Sequence, residues 1–321
     1  MAQAKAKPPK TAIDWDAIPH PVFLWGNRHI GHRDPAGHYH EGVFRVFYGQ
    51  VRREPGRRVY YQLAVTKSTD LVTWTEPQLF TPRDLNLNYS SPGNVIRYGD
   101  QWLLGTQTYP RPVDDPGANQ NARIFKMVSD DLEHWGEPEL LRVKGPEVPV
   151  SEMGRMIDPC FVPDKDHPLK WWCFFKQSGA GMSYTYDFET WTYYDKVPAG
   201  ENACVLIDRE ADEYVLIHAP RNGIGIKRSK DLLNWRALGV WTLGQSLARS
   251  RSKEWQWAQG RLTAGHVLDL RGEPSVGKYV LFYHGDTEEG VREQEIHGEA
   301  SLAVAWSDDL LHWSWPGRPA G

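Results

Sequence analysis

Short runs of alternating apolar and polar residues recur along the chain, as in YYQLAVTK, ARIFKMV, GAGMSYT, GIGIKR and ASLAVAW. A two-residue period marks a half-buried β-strand. Each run is followed by one turn signal: STDLVTW ending at Trp74, SDDLEHW at Trp135, TYDFETW at Trp191, SKDLLNW at Trp235 and SDDLLHW at Trp313. The short Ser, Thr and Asp side chains bond nearby backbone N–H groups in a tight turn. Leu or Phe and then Trp supply an apolar plug that a neighbouring repeat must cover. One such match would carry little weight, but five copies, each behind a strand, define a repeat.

Reading backwards from each Trp gives the same strand order. NVIRYGD leads to QWLLGTQT and then to ARIFKMVSDDLEHW, while ACVLIDREAD leads to EYVLIHAP and then to GIGIKRSKDLLNW. Helical periodicity is nearly absent. Four short antiparallel strands repeated in sequence are the signature of a propeller blade, so the chain is expected to be all-β, a five-bladed β-propeller of four-stranded blades. Residues 1–20 read as an N-terminal tail and 21–321 as one propeller domain, with the segment after the tail completing the last blade and closing the ring.

Composition narrows the function classes. With 37 Lys and Arg against 41 Asp and Glu the net charge is -4, which gives no basic footprint for nucleic acid. No apolar stretch approaches the length of a membrane span. The start MAQAKAKPPKTAIDWD lacks an apolar signal-peptide core, which fits either a cytoplasmic protein or a secreted one without its leader. Cys160, Cys173 and Cys204 lack metal spacing and read as buried thiols. The 15 tryptophans suggest repeated packing joints, a carbohydrate-stacking site, or both.

In a propeller the innermost strand of each blade lines the central channel, and pockets form where those strands begin. Aligning the repeats puts Asp34-Pro35, Ser91-Pro92, Asp158-Pro159, Glu201-Asn202 and His266 at that start. Asp158 just ahead of an aromatic strand, in MIDPCFVPDKDHPLKWWCFFK, is then a pocket residue. By contrast Asp70, Asp131, Asp187, Asp231 and Asp309 recur in every repeat and are turn architecture. Converging carboxylates, without a Cys/His metal set or a phosphate loop, point to general acid–base work, and glycosidic bonds are cleaved by such a pair.

The repeated turn, RDP followed by VFRVFYG, MIDP followed by KWWCFFK, and GENACVL followed by EYVLIHAP together resemble the five-bladed glycoside hydrolases of family 43, with families 32 and 117 as relatives, over roughly residues 20–315. The resemblance implies Asp34 as base and Glu201 as proton donor. Asp158 would hold Glu201 and raise its pKa by like-charge repulsion. It further implies inversion, with Asp34 activating a water across the ring, and His266 at the pocket floor or beside a central ion such as a structural Ca²⁺; no cofactor is required. In family 43 the acid stands before Gly-Pro, whereas Glu201 precedes Asn202-Ala203. Family 117 assigns the acid role to a histidine, for which His218 and His266 are the alternatives. The Asn-Asp-Pro-Asn and Glu-Cys motifs of family 32 are missing, since Arg33-Asp34-Pro35 stands at the first of them.

The remaining pocket candidates are His32, Ser91, Arg155, Arg221 and Trp25. Either arginine would bond substrate hydroxyls or serve as a structural ion-pair partner, and Trp25 would offer a ring face or packing surface. QSLARSRSKEWQWAQG reads as a rim loop before the last blade. The expected partner is a carbohydrate, an oligosaccharide end or small glycoside of the α-L-arabinofuranoside or β-xyloside type. Two competing readings are a glycan-binding propeller without catalysis and a phosphorolytic enzyme, which would need clustered Arg and Lys in the pocket.

Overall fold

The computed structural model describes residues 12–115, 117–245, 253–292 and 299–317. Five antiparallel sheets follow one another along the chain. Blade I runs through Ile30–His40, Val43–Glu54, Arg58–Ser68 and Gln78–Leu79. Blade II has an interrupted inner strand, Tyr89–Ser90 and Val95–Tyr98, then Gln101–Thr108, Ile124–Ser129 and Glu139–Leu140. Blade III comprises Ile157–Pro163, Trp171–Lys176, Ala180–Thr185 and Thr192–Val197. Blade IV comprises Glu201–Asp208, Glu213–Ala219, Ile224–Ser229 and Arg236–Trp241. Blade V has Arg261–Asp269, Tyr279–Asp286 and Ser301–Ser307.

The outer edge of blade V is built from both ends of the chain. Val22–Leu24 pairs with the first half of Ser301–Ser307 (Val22 with Ala303, Leu24 with Leu302), and Trp313–Ser314 pairs with its second half. The expected ring closure is therefore present. Within the stretch expected as a tail, Ile13, Trp15 and Ile18 pack on the blade I–blade V core, and the Trp15 and Trp306 rings lie tilted with centroids 5.0 Å apart. Three apolar residues in that stretch have burial to gain, which Pro and Lys content alone concealed.

The turn repeat explains itself atom by atom. In SDDLEHW, Ser129 Oγ accepts from the backbone N of Asp131 and Leu132, and Asp131 Oδ1 accepts from the backbone N of Glu133 and His134. Asp70, Asp187, Asp231 and Asp309 make the same pair of bonds. Leu71, Leu132, Phe188, Leu232 and Leu310 all take positive φ, 60° to 67°. Left-handed backbone at a non-glycine residue costs about 1–3 kcal/mol. Each of these five side chains is buried between blades, and full burial of a Leu or Phe returns about 1.5–3 kcal/mol.

Inter-blade packing supplies the core. Five hydrophobic clusters each join two adjacent blades, as where Phe161, Phe175 and Trp191 of blade III meet Leu103 and Ile124 of blade II. Near the axis the blades approach so closely that a Cβ on Gly93 would lie 1.7 Å from the Pro159 carbonyl oxygen of the next blade. The three cysteines are buried and unbridged. No helix among the described residues is long and apolar enough to cross a membrane.

Candidate active site

Each inner strand begins with a backbone irregularity that aims one side chain at the axis. In blade I, Arg33 and Ala36 face Gly49 and Phe47, so one extra residue is accommodated; the same slip separates Ile157 from Cys160, Glu201 from Cys204 and Thr263 from His266. These are β-bulges, which re-aim side chains and interrupt the ladder. The bulged residues are Asp34, Asp158, Asn202 and Ala264, with Ser91 at the break in blade II, and all five have φ between 43° and 55°. Proline follows three of them (Pro35, Pro92 and Pro159), where the missing N–H forfeits no ladder bond.

This geometry corrects the alignment in two blades. The residue equivalent to Asp34 is Asn202 in blade IV and Ala264 in blade V. Glu201 stands one position earlier, at the place held by Arg33 in blade I, and His266 two positions later. A bulge adds a residue without changing composition, so apolar patterning cannot register it.

A cavity of about 710 Å³ opens over the bulges. Asp34, Ser91, Asp158, Glu201, Arg155 and Arg221 all line it. His32 and His266 do not. His32 is buried behind the strand with its ring edge-on to Tyr48, and burial, partly opposed by a bond to the Trp25 backbone, lowers its pKa to about 4. His266 lies further down the axis, in a void of about 20 Å³ beneath the carboxylates. Its Nδ1 accepts from the Gly37 backbone N at 3.2 Å, and burial lowers its pKa to about 4. His218 also lies off the cavity, accepting from Gly200 N at 3.1 Å. Neither histidine is placed to protonate a bound substrate. Trp25 is 55 % exposed and outside the cavity. Of the expected rim loop, residues 246–252 lie outside the described residues, while Trp255 and Trp257 are buried in the blade IV–blade V core.

Within the cavity, Asp34 accepts from Ser91 Oγ at 2.7 Å, and its backbone N donates to His284 Nδ1 at 3.1 Å. The Ser91 hydroxyl thus holds Asp34. Asp158 is 7 % exposed; its backbone N donates to Gln107 Oε1, and its Oδ2 accepts from Asn202 N at 3.2 Å. Burial first, then the neighbouring charges of Asp34 and Glu201, push its pKa up to about 7 against the opposing pull of the Asn202 N–H and Arg155. Glu201 has a side chain 45 % exposed and accepts from Lys176 Nζ at 2.9 Å. Like-charge repulsion within the trio is present as expected, but it raises Asp158. Among the described residues no group of three or more His, Cys, Asp or Glu side chains is placed to hold a metal.

Several lining residues escaped the sequence reading: Arg33, Gln107, Arg261 and Asp286, with His284 behind them. The one available signal was YVLFYHGD, where polar His284 and Asp286 interrupt an apolar strand.

No family model and no curated protein matches the chain. Solved structures do match its fold. The catalytic domain of a family 62 α-L-arabinofuranosidase from Coprinopsis cinerea is similar over 89 % of this chain and 98 % of its own, at 15 % identity and a TM-score of 0.59. A thermostable family 43 glycoside hydrolase is similar over 95 % and 98 %, at 13 % identity and a TM-score of 0.60. A family 117 glycoside hydrolase of the marine bacterium Zobellia galactanivorans is similar over 92 % and 89 %, at 13 % identity and a TM-score of 0.59. The five-bladed ring of this chain is thus a fold it shares with glycoside hydrolases.

Proposed function

We propose that the protein is a glycoside hydrolase using carboxylate acid–base catalysis. The observation that carries this reading is a single cavity bringing Asp34, Asp158 and Glu201 together, with burial and like charge keeping a proton on Asp158 up to about pH 7. A site with one carboxylate poised as base and another protonated near neutrality has both halves of the chemistry. Asp34, oriented by Ser91 and His284, activates water at the anomeric carbon. The acid work falls to the other two carboxyls: Glu201, the more exposed, faces the leaving oxygen as proton donor, with the buried Asp158 beside it in the same cavity. Inversion and exo action on an arabinofuranoside or xyloside end are the finer parts of the proposal, and the fold similarity to arabinofuranosidases makes those sugars the first to try.

Variants and leaving groups test the assignment. Asp34→Asn should lose turnover by about 10²–10⁴-fold, the usual contribution of a general base, on alkyl and nitrophenyl glycosides alike. Glu201→Gln and Asp158→Asn should lose it chiefly on alkyl glycosides, whose leaving group needs a proton. Full turnover by Asp34→Asn would remove the reading.

A further inference from the structure

Four arginines line the same cavity: Arg33, Arg155, Arg221 and Arg261. They come from four different places in the ring: the inner strand of blade I, the segment before blade III, the segment after the second strand of blade IV, and the start of blade V. A site for a neutral sugar needs hydroxyl partners, and one arginine would serve. Four guanidiniums around one cavity demand another explanation, and structural ion pairing is the first to examine.

Elsewhere in this protein arginines near carboxylates do pair. Arg228 bonds Asp208 at 2.8 Å, Arg45 bonds Glu133 at 2.9 Å, and Arg271 bonds Asp269 at 2.8 Å. The cavity arginines differ. Arg33, Arg155 and Arg221 make no ion pair and donate no side-chain hydrogen bond to any described residue, although carboxylates line the same wall. Arg33 Nε is buried without a partner. Arg155 lies over the Tyr109 ring, 5.6 Å from its guanidinium, and acts on Asp158 by charge alone, without a bond to it. Arg261 places Nε on Asp286 at 3.0 Å and makes no other side-chain bond to a described residue. Arg33 and Arg261, from the adjoining blades I and V, both lie within electrostatic reach of Asp286 and His284, and Arg33 also within reach of Asp34 and Glu201, none of which it bonds. The cavity carboxylates are engaged by other groups: Asp34 by Ser91, Asp158 by Asn202 and Glu201 by Lys176. A buried donor without a partner, as Arg33 Nε is, is costly unless something fills it, whereas Arg221 is exposed at the mouth; the planar guanidinium fork matches an oxyanion bidentately.

We infer that this cavity binds an oxyanion beside the catalytic carboxylates, held by Arg33 and Arg261 with Arg155 and Arg221 at its rim. The inference rests on the glycosidase reading and deepens it by naming the substrate class. Two sources supply the chemistry. One is the substrate, as the carboxylate of an acidic sugar at or next to the scissile bond. The other is inorganic phosphate as the attacking group: its oxygen bonds the anomeric carbon, the glycosidic C–O bond breaks, and the aglycone oxygen leaves with the proton of Glu201, giving a glycosyl phosphate.

Nitrophenyl xylosides and glucuronides form the matched probe, since they differ only in a ring hydrogen replaced by a carboxylate. A charge-assisted bidentate contact of about 1.5–3 kcal/mol predicts that kcat/KM favours the glucuronide by about 10–100-fold. Arg33→Gln and Arg221→Gln should each erode that preference and raise KM for the glucuronide. In the second arm, turnover of neutral glycosides that requires added phosphate and yields glycosyl phosphate assigns the oxyanion to phosphate. Calorimetry with glucuronate, xylose and phosphate provides a readout independent of turnover. Arginine-dependent binding of an anion without any turnover keeps this inference and defeats the glycosidase reading. Equal turnover of neutral and acidic glycosides, insensitive to phosphate and to both arginine variants, does the reverse. Absence of binding by either anion also overturns the inference.

Discussion

Asp158 is a buried carboxyl whose charged form the fold disfavours, and that has a consequence for stability separate from any catalysis. Its folded pKa of about 7 lies above the 3.8 of an unperturbed Asp. Between those values the folded chain binds more protons than the unfolded one, so this group's contribution is most favourable below about pH 4 and is lost as pH rises through 7. Asp158→Asn keeps the shape and removes the titration. The variant should therefore gain on the order of 2–4 kcal/mol over the parent above pH 7 and little near pH 4, as read by denaturant unfolding at both pH values. An equal gain at both would mean that Asp158 is not carrying this shift. The positions of Asp34, Asp158 and Glu201 in one cavity were legible in the sequence because each precedes a strand that patterning identifies. Arg33 and Arg261 were not, since an arginine within a strand looks the same whether it faces solvent or a recess.

At the scale of the element, two backbone devices recur five times with different transparency. The turn after each third strand was readable because its side chains do the bonding: remove Asp231 and the backbone N–H groups of Leu233 and Asn234 lose their acceptor. Asp231→Ala should destabilise the protein by about 1–2 kcal/mol, the usual loss for a capping side chain, measured by the shift in denaturation midpoint, while leaving turnover of the folded protein intact. A drop in kcat without loss of stability would contradict the division between turn and active-site aspartates. The bulge at the head of each inner strand was opaque. It is made by backbone, with Asp, Ser, Asp, Asn and Ala at equivalent places, so no shared side chain announces it. Aligning through it displaced Glu201 by one position and His266 by two.

At the scale of the whole molecule, the ring depends on a three-residue strand. Val22–Leu24 covers half an edge of Ser301–Ser307, and Ile18 and Trp15 seal the apolar joint behind it. Removing residues 1–26 should lower the thermal midpoint by several degrees and produce oligomers on size exclusion, because an unpaired apolar edge invites another chain. A monomer with unchanged melting would show that the closure is dispensable. The number of blades and their strand count were predictable from periodicity; that residues 12–20 belong to the body was not, because three scattered apolar residues carry no period.

Because Val22–Leu24 and Trp313–Ser314 clasp the same strand only a few residues apart, two segments separated by nearly 290 positions are neighbours in space. The order in which the blades follow along the backbone is then nearly arbitrary with respect to the architecture. A short tether across that seam, with new ends cut at the exposed residues 146–147 between blades II and III, would give a circular permutant in which the pairings, the bulges and the cavity they frame are all retained.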